Sequence, residues 1–159
     1  MKDIKVVLEN LSTQGIVPDH AQISFLKEFI AFDSSLKPKS FFSKKNLIDN
    51  LYLFGPVGRG KTLLLQAINE CYFSHSGKFH FVEFMQLIHN QLSNFSGNRD
   101  PLLMVVNNLA KNYKIIFIDE FQIEDIADAM IIGNVIESLS NKGTRIMISS
   151  NSHPNDLYL

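Results

Sequence analysis

The chain has 159 residues, 45% of them hydrophobic, and a formal net charge of −1. This balance favours a globular protein with its own core and argues against general attraction to nucleic acid or anionic membranes. Cys71 is the only cysteine, which excludes an intrachain disulfide, and we expect neither a secretory signal nor a membrane-spanning helix because no apolar run is long enough.

The N-terminal part of the chain is predicted to be helical. Apolar residues recur at helical spacing over 3–14 and 20–32, and a glycine and a proline separate the two stretches. Residues 34–46 are polar and contain four lysines, which we interpret as a solvated linker rather than a surface for lipid or nucleic acid. We therefore predict an N-terminal helical segment with its linker over 1–46 and a separate core domain over 47–159.

The core alternates predicted strands with predicted helices. The strands are expected over 50–54, 78–83, 114–118 and 144–149, and the helices over 61–73, 84–93, 101–111 and 125–140. Asp100 and Asp125 are suited to cap the last two helices. The fourth core helix is expected to bury an apolar stripe made of Ile126, Met130, Val135 and Leu139. This alternation predicts an α/β fold with a mostly parallel sheet and helices on both faces.

A phosphate-binding loop is predicted from GPVGRGKT, which lies between a predicted strand and a predicted helix. Backbone N–H groups and the positive end of the helix would hold the phosphates, Lys61 would reach the terminal phosphates, and Thr62 would hold Mg²⁺. The alternative is an ordinary glycine turn with a solvated lysine. The expected nucleotide-binding residues are Gly55, Pro56, Val57, Gly58, Arg59, Gly60, Lys61 and Thr62.

Two acids follow the apolar run 115–118, at the edge where ligands of parallel sheets bind. Asp119 is predicted to bind Mg²⁺, and Glu120 is predicted to orient and polarise the attacking water. Asn151 follows the next predicted strand and would sense the phosphate state beside that water. On sequence alone, the acids could also begin an ordinary loop, and Asn151 could be a simple turn residue.

The histidines and the cysteine do not predict a further site. The five histidines have no metal-ligand spacing, and His80 and His89 are expected in separate elements without a partnering acid or cysteine, so we expect no zinc. Cys71 lies in the apolar helix after the loop, where we interpret it as a packing residue rather than a nucleophile.

Longer stretches of the chain resemble the ZapE-type ATPases, the bacterial relatives of the mitochondrial AFG-one-like proteins. The likeness is most specific in IIFIDEFQIEDIADAMIIGNVIESLSNKG and in SSNSHPNDLY. The phosphate loop, HFVEFM at 80–85, DPLLMVVNNLA at 100–110 and the two N-terminal helices also fit, so the resemblance covers nearly the whole chain.

The resemblance implies an AAA+-type P-loop fold and ATP hydrolysis with Mg²⁺. It makes Gly55 to Thr62 the Walker A loop, Asp119 and Glu120 the Walker B pair, and Asn151 the sensor asparagine. It further implies a role in cell division or membrane protein quality control, self-association, and a division-ring or membrane-associated protein partner. The implied location is the cytoplasm or the periphery of the inner membrane. Nucleic acid is not expected as a partner, because the sequence shows no basic surface pattern with aromatic residues.

The sequence departs from the family pattern in three places. Val82 replaces a histidine, Ser152 replaces an arginine, and the sequence stops at Leu159, so the last core strand, the C-terminal helical region and the arginine finger are expected to be missing. From this we expect weak ATP-Mg binding and very slow turnover by this chain alone. The alternatives are a truncated nucleotide-binding module, a gene fragment with little or no turnover, and a helicase-loader-like ATPase.

Overall fold

The computed structural model describes residues 3–35, 50–72 and 75–157. Most of the predicted linker lies outside these ranges. Within them, no helix combines the length and the apolar content that a membrane crossing requires. The described elements are α1 (Ile4–Thr13), α2 (His20–Ser35), β1 (Leu51–Phe54), α3 (Lys61–Tyr72), β2 (Ser76–His80), α4 (Phe81–Asn94), α5 (Pro101–Asn112), β3 (Ile115–Asp119), α6 (Ile126–Asn141), β4 (Arg145–Ser150) and a 3₁₀ turn at Pro154–Asp156.

The elements group into two compact units. The helical unit comprises Met1–Asn46 with Gly60–Ser74, and the sheet unit comprises Leu47–Arg59 with His75–Leu159. In the helical unit, α1 contacts both α2 and α3. Its core is aliphatic and aromatic, and its buried side chains are Val7, Leu11, Leu26, Phe29, Leu64, Leu65, Ala67 and Ile68.

The sheet unit contains four parallel strands in the order β1-β4-β3-β2. This confirms the predicted α/β class with a parallel sheet. The two middle strands, β3 and β4, are buried along their whole length. Because parallel strands point their carboxyl ends the same way, the residues that follow β1, β3 and β4 emerge at one edge of the sheet.

Helices α4, α5 and α6 cover one face of this sheet. Alternate residues of the middle strands form that face, and they share one hydrophobic cluster with the buried sides of the three helices. The sheet and helix members of the cluster include Ile116, Ile118, Ile146, Ile148, Phe84, Ile88, Val105, Leu109, Val135 and Leu139.

Two predicted helix starts are confirmed by their caps. Asp100 Oδ1 accepts a hydrogen bond from Leu103 N at 3.0 Å, with Pro101 in the first turn of α5. Asp125 accepts from Ala127 N at the start of α6. Each cap satisfies an N–H group that the helix itself leaves without a partner.

Two sequence predictions are wrong in this region. The strand predicted over 78–83 ends at His80, and α4 begins at Phe81. The buried stripe predicted for α6 is only half right, because Ile126 and Met130 are 61% and 66% exposed. The helix instead buries Ile132, Val135 and Leu139.

Candidate functional site

The predicted phosphate loop has the expected strand–loop–helix setting. It follows β1, and α3 begins directly at Lys61. Gly58 and Gly60 have φ values of 80° and 75°, a left-handed conformation that glycine adopts without steric cost. The boundary between the two units falls between Arg59 and Gly60, so Lys61 and Thr62 belong to the helical unit. Their approach to the acids of the sheet unit stays a prediction.

Asp119 ends β3 as a buried acid with one oxygen unsatisfied. The residue is 5% exposed, and its Oδ1 accepts hydrogen bonds from Glu120 N at 3.0 Å and from Ser149 Oγ. Oδ2 is also buried and has no hydrogen-bond partner among the described residues. A buried carboxylate oxygen without a partner is costly, and a hard cation such as Mg²⁺ prefers an oxygen ligand of this kind. Asp119 therefore fits the predicted metal-binding role.

Glu120 has an unusual backbone conformation. Its φ of 53° is the only positive value at a non-glycine position in the described part of the chain. Such a conformation costs free energy and persists only where the surroundings enforce it. The next residue, Phe121, supplies this restraint because its N–H donates to Ser149 O at 2.8 Å and its carbonyl accepts from Ser150 Oγ at 2.7 Å. The Phe121 ring also meets the Phe81 ring at 4.8 Å.

Two histidines of the sheet unit have acidic neighbours, contrary to the sequence prediction. His80 pairs with Asp119 in the sheet register, and its Nδ1 lies 3.8 Å from Glu120 Oε2. His89 of α4 lies 2.9 Å from Asp128 of α6. The first pair places an imidazole beside the candidate catalytic acid, although both side chains are more than half exposed, which weakens their attraction. No group of three metal-ligating side chains occurs within the described ranges.

Asn151 and Glu120 line the same cleft. Asn151 is exposed and directly follows β4, while the two strands that precede these residues are paired neighbours. The cleft has a volume of about 570 Å³ and an acidic, partly apolar wall. Its lining consists of Phe81, Val82, Met85, Gln86, His89, Glu120, Phe121, Gln122, Glu124, Asp128, Ser150, Asn151 and Ser152. The sheet unit thus places Asp119, Glu120 and Asn151 at the carboxyl ends of the paired strands β3 and β4, and their roles in binding and catalysis stay predictions.

Tyr52 fixes the segment that follows β4. Its hydroxyl donates to Ser152 O at 3.1 Å, and its ring meets the Phe121 ring edge-on at 6.3 Å. Burial raises the pKa of the Tyr52 phenol, and a hydrogen bond with Ser150 only partly offsets that rise. The phenol therefore stays neutral and remains a donor at neutral pH.

Cys71 has the properties of a packing residue. It is half-buried in α3, and its thiol contacts the carbonyl oxygen of Val6 at 3.7 Å. Burial raises the pKa of the Cys71 thiol, and the charge of Glu70 raises it further. A thiol that resists ionisation is a poor nucleophile, in agreement with the sequence interpretation.

Ser149, Phe121 and His80 are parts of the site that sequence reasoning missed. Ser149 binds Asp119 across the β3–β4 pair, and Phe121 anchors the turn that carries Glu120. Aligning the ends of β3 and β4 in the sequence would have predicted that Ser149 lies beside Asp119, because the residues before Asn151 pair with the end of β3. No sequence signal marked the approach of His80 to Glu120.

Comparisons with known proteins agree with this geometry. A family model described as AFG1-like ATPase matches residues 7–159. "Cell division protein ZapE" from Escherichia coli (strain K12) is 33% identical over 120 residues, which are 73% of this chain and 31% of that protein. "Lactation elevated protein 1 homolog B" from Danio rerio is 31% identical over 128 residues, or 73% of this chain and 25% of that protein. The chain thus spans about a third or less of the length of these curated relatives.

Solved structures with the same fold include replication proteins. DnaA from Aquifex aeolicus, bound to AMPPCP, matches 98% of this chain and 44% of its own, with a TM-score of 0.61 and 18% identity. The DnaC helicase loader matches 87% of this chain and 75% of its own, with a TM-score of 0.57 and 18% identity. At this identity the likeness shows the fold alone, which is that of a P-loop AAA+ protein.

Proposed function

This chain belongs to the AFG1-like ATPase family. We propose that it binds ATP with Mg²⁺ and hydrolyses the bond between the terminal phosphate and ADP. The observation that carries the proposal is Oδ2 of Asp119, which is buried at the carboxyl end of β3 and has no hydrogen-bond partner among the described residues. A buried carboxylate oxygen of this kind at the ligand-binding edge of a P-loop fold is explained if it binds a cation.

The phosphate loop would bind the nucleotide. Its left-handed glycines turn backbone N–H groups inward, and the N-terminus of α3 adds the positive end of the helix dipole. Lys61 would bind the terminal phosphates, while Thr62 and Asp119 would hold Mg²⁺. When bound, Mg²⁺ neutralises charge on the phosphate oxygens.

Glu120 would act on the attacking water. Its exposed carboxylate opens into the cleft, and the restrained turn limits where that carboxylate can point. In hydrolysis the water oxygen bonds to the terminal phosphorus, the bond to the ADP oxygen breaks, and Glu120 orients the water and accepts its proton. Asn151 lines the same cleft and would hydrogen-bond the water or the phosphate.

A binding titration with a lysine variant tests the site. Lys61→Ala should weaken ATP-Mg binding by about 10- to 150-fold, because it removes a charged donor to the phosphates worth about 1.5–3 kcal/mol. Lys27→Ala is the matched control, since Lys27 is an exposed lysine of the same unit. Equal ATP affinity in wild-type and Lys61→Ala chains, measured by calorimetry, would refute the assignment.

A role in cell division, with a division-ring or membrane-associated partner in the cytoplasm or at the inner membrane, is the finer part of the proposal. Its support is the similarity to the Escherichia coli cell division protein ZapE. This role can be tested with a chimaeric ZapE in which the matched residues are replaced by those of this chain. The chimaera is expressed in cells that lack native ZapE. Restored cell length would support the role, and a chimaera that fails like its own Lys61→Ala version, despite normal expression, would contradict it.

A further inference from the structure

The last glycine of the phosphate loop lies against a side chain from α2. A Cβ atom built on Gly60 would lie only 2.8 Å from Gln22 Nε2, and both residues belong to the helical unit. Gly60 also accepts the first hydrogen bond of α3, from Leu64 N at 3.0 Å. The amide group of Gln22 therefore lies next to the residue that sets the start of α3 and immediately precedes Lys61.

Gln22 is held in this orientation by a reciprocal cap. Asp19 N donates to Gln22 Oε1 at 2.9 Å, and Gln22 N donates to Asp19 Oδ1 at 2.8 Å. This is a capping box at the N-terminus of α2, with Gln22 as its third residue. Because Oε1 is engaged by the cap, the side-chain amide is oriented and Nε2 is the atom that faces Gly60.

The cap by itself does not explain why residue 22 is glutamine. Glutamate serves equally well at this position of a capping box, and its negative charge favours the first turn of a helix. Glutamate would, however, place a carboxylate oxygen where Nε2 now meets Gly60. Next to a loop that binds phosphates, a negative charge is repulsive, whereas an amide donor is compatible.

We propose that Gln22 is a positioning residue of the nucleotide site. It holds Gly60 in place and thereby fixes where α3 begins and where Lys61 lies. This inference rests on the proposed nucleotide-binding function. It also assigns the turn between α1 and α2 to the surroundings of the nucleotide, because the same side chain closes the cap and contacts the loop.

The test separates the cap from the contact with the loop. Gln22→Glu keeps the cap, so the melting temperature should stay the same or rise, whereas ATP-Mg affinity should fall by about tenfold or more. The matched control is Gln14→Glu, which makes the same charge change in the same unit at an exposed residue whose amide binds Asn10 Oδ1 at 2.9 Å. The control should bind ATP-Mg like the wild type.

The possible outcomes distinguish this proposal from the function on which it rests. If the wild type binds ATP-Mg and Lys61→Ala weakens that binding as expected, unchanged affinity in Gln22→Glu would overturn the role of Gln22 alone. A parallel loss of stability and affinity in Gln22→Glu would reduce Gln22 to a structural cap and also overturn it. A wild-type chain that binds no ATP would overturn both proposals.

Discussion

The turns that follow β1 and β3 leave the same edge of one sheet, and each contains a residue with a left-handed backbone. After β1, the residues that adopt this conformation are glycines, Gly58 and Gly60. After β3 it falls on Glu120, for which the conformation costs about 1–2 kcal/mol. In the first turn, no atom of the described residues lies within 4 Å of a Cβ built on Gly58, whereas the second turn is held to β4 through Phe121.

The difference follows from what each turn contributes. A loop that offers backbone N–H groups needs no side chains, so glycine adopts its shape without strain. A turn that must present a carboxylate cannot use glycine, so the strain stays and neighbouring contacts enforce it. Strain at Glu120 and its absence at Gly58 are therefore two solutions to one requirement, a sharp turn after a parallel strand.

The test with the largest expected effect replaces the Glu120 carboxylate with an amide of the same shape. Glu120→Gln should lower ATP turnover by about 10²- to 10⁴-fold, because proton acceptance from the water is lost, while ATP affinity stays near the wild-type value. Single-turnover hydrolysis and a binding titration measure the two effects. Turnover that is unaffected by the substitution would mean that another group activates the water.

The next test concerns the metal ligand before the strained residue. Asp119→Asn removes the buried charge, so ATP binding should lose most of its dependence on Mg²⁺, a change of about tenfold in affinity. The affinity for ATP without Mg²⁺ should change little. The measurement is a pair of titrations with and without Mg²⁺, and a Mg²⁺ dependence equal to that of the wild type would exclude Asp119 as a ligand.

Two substitutions test whether backbone conformation sets the stability of the two turns: one removes a glycine at Gly58, and the other introduces a glycine at Glu120. Gly58→Ala should lower the free energy of unfolding by about 1–2 kcal/mol, although no atom lies near the added methyl group, because of its φ of 80°. Glu120→Gly should raise it by up to about 1 kcal/mol, since relief of strain exceeds the added flexibility of the unfolded chain. Gly97→Ala is the control, with equal space but without a positive φ, and should be neutral or slightly stabilising.

These stabilities are measured by urea denaturation of each variant. Destabilisation in Glu120→Gly, or a neutral Gly58→Ala, would show that contacts rather than backbone conformation set the stability of the two turns.

The smallest expected effect involves Tyr52 of β1, whose ring contacts Phe121 in the turn after β3. The pKa of Tyr52 is raised above its ordinary value of 10.0, so its neutral form is favoured in the folded state. Its contribution to stability is present below pH 10 and is lost as pH rises through the folded-state pKa. Tyr52→Phe should cost about 1 kcal/mol at neutral pH, through the hydrogen bond to Ser152 O, and should flatten the alkaline loss of stability.

Thermal melts between pH 8 and pH 11 measure this effect. Tyr113→Phe should retain the alkaline decline, because Tyr52 is then intact. A Tyr52→Phe chain with the wild-type decline would assign it to other groups.

The sequence predicted the fold well because its local signals were unambiguous. The alternation of apolar runs with capped helices determined the parallel sheet, and Asp100 and Asp125 mark helix starts in the structure as expected. The positions of Asp119, Glu120 and Asn151 at one edge followed from the predicted parallel sheet, since each lies at or just after the end of a parallel strand.

The errors arise where spacing alone permits two answers. Apolar residues occur on most sides of α6, so two stripes were available, and tertiary contacts such as His89 with Asp128 help to set which one is buried. Polar and apolar residues alternate over 78–81, as in a strand, yet Glu83 accepts a hydrogen bond from His80 N and a helix begins at Phe81. The strain at Glu120 is invisible in sequence because it depends on contacts from β4.

The strand order also has a consequence for synthesis of the protein. β1 pairs with β4, and Asn50 Oδ1 accepts a hydrogen bond from Ile146 N, 96 positions along the chain. On a ribosome that adds about 5–20 residues per second, the strand that leads into the phosphate loop would wait about 5–20 seconds for its partner. Such distant pairing slows folding, so chaperones would have a defined time window in which to protect the apolar segment of β1.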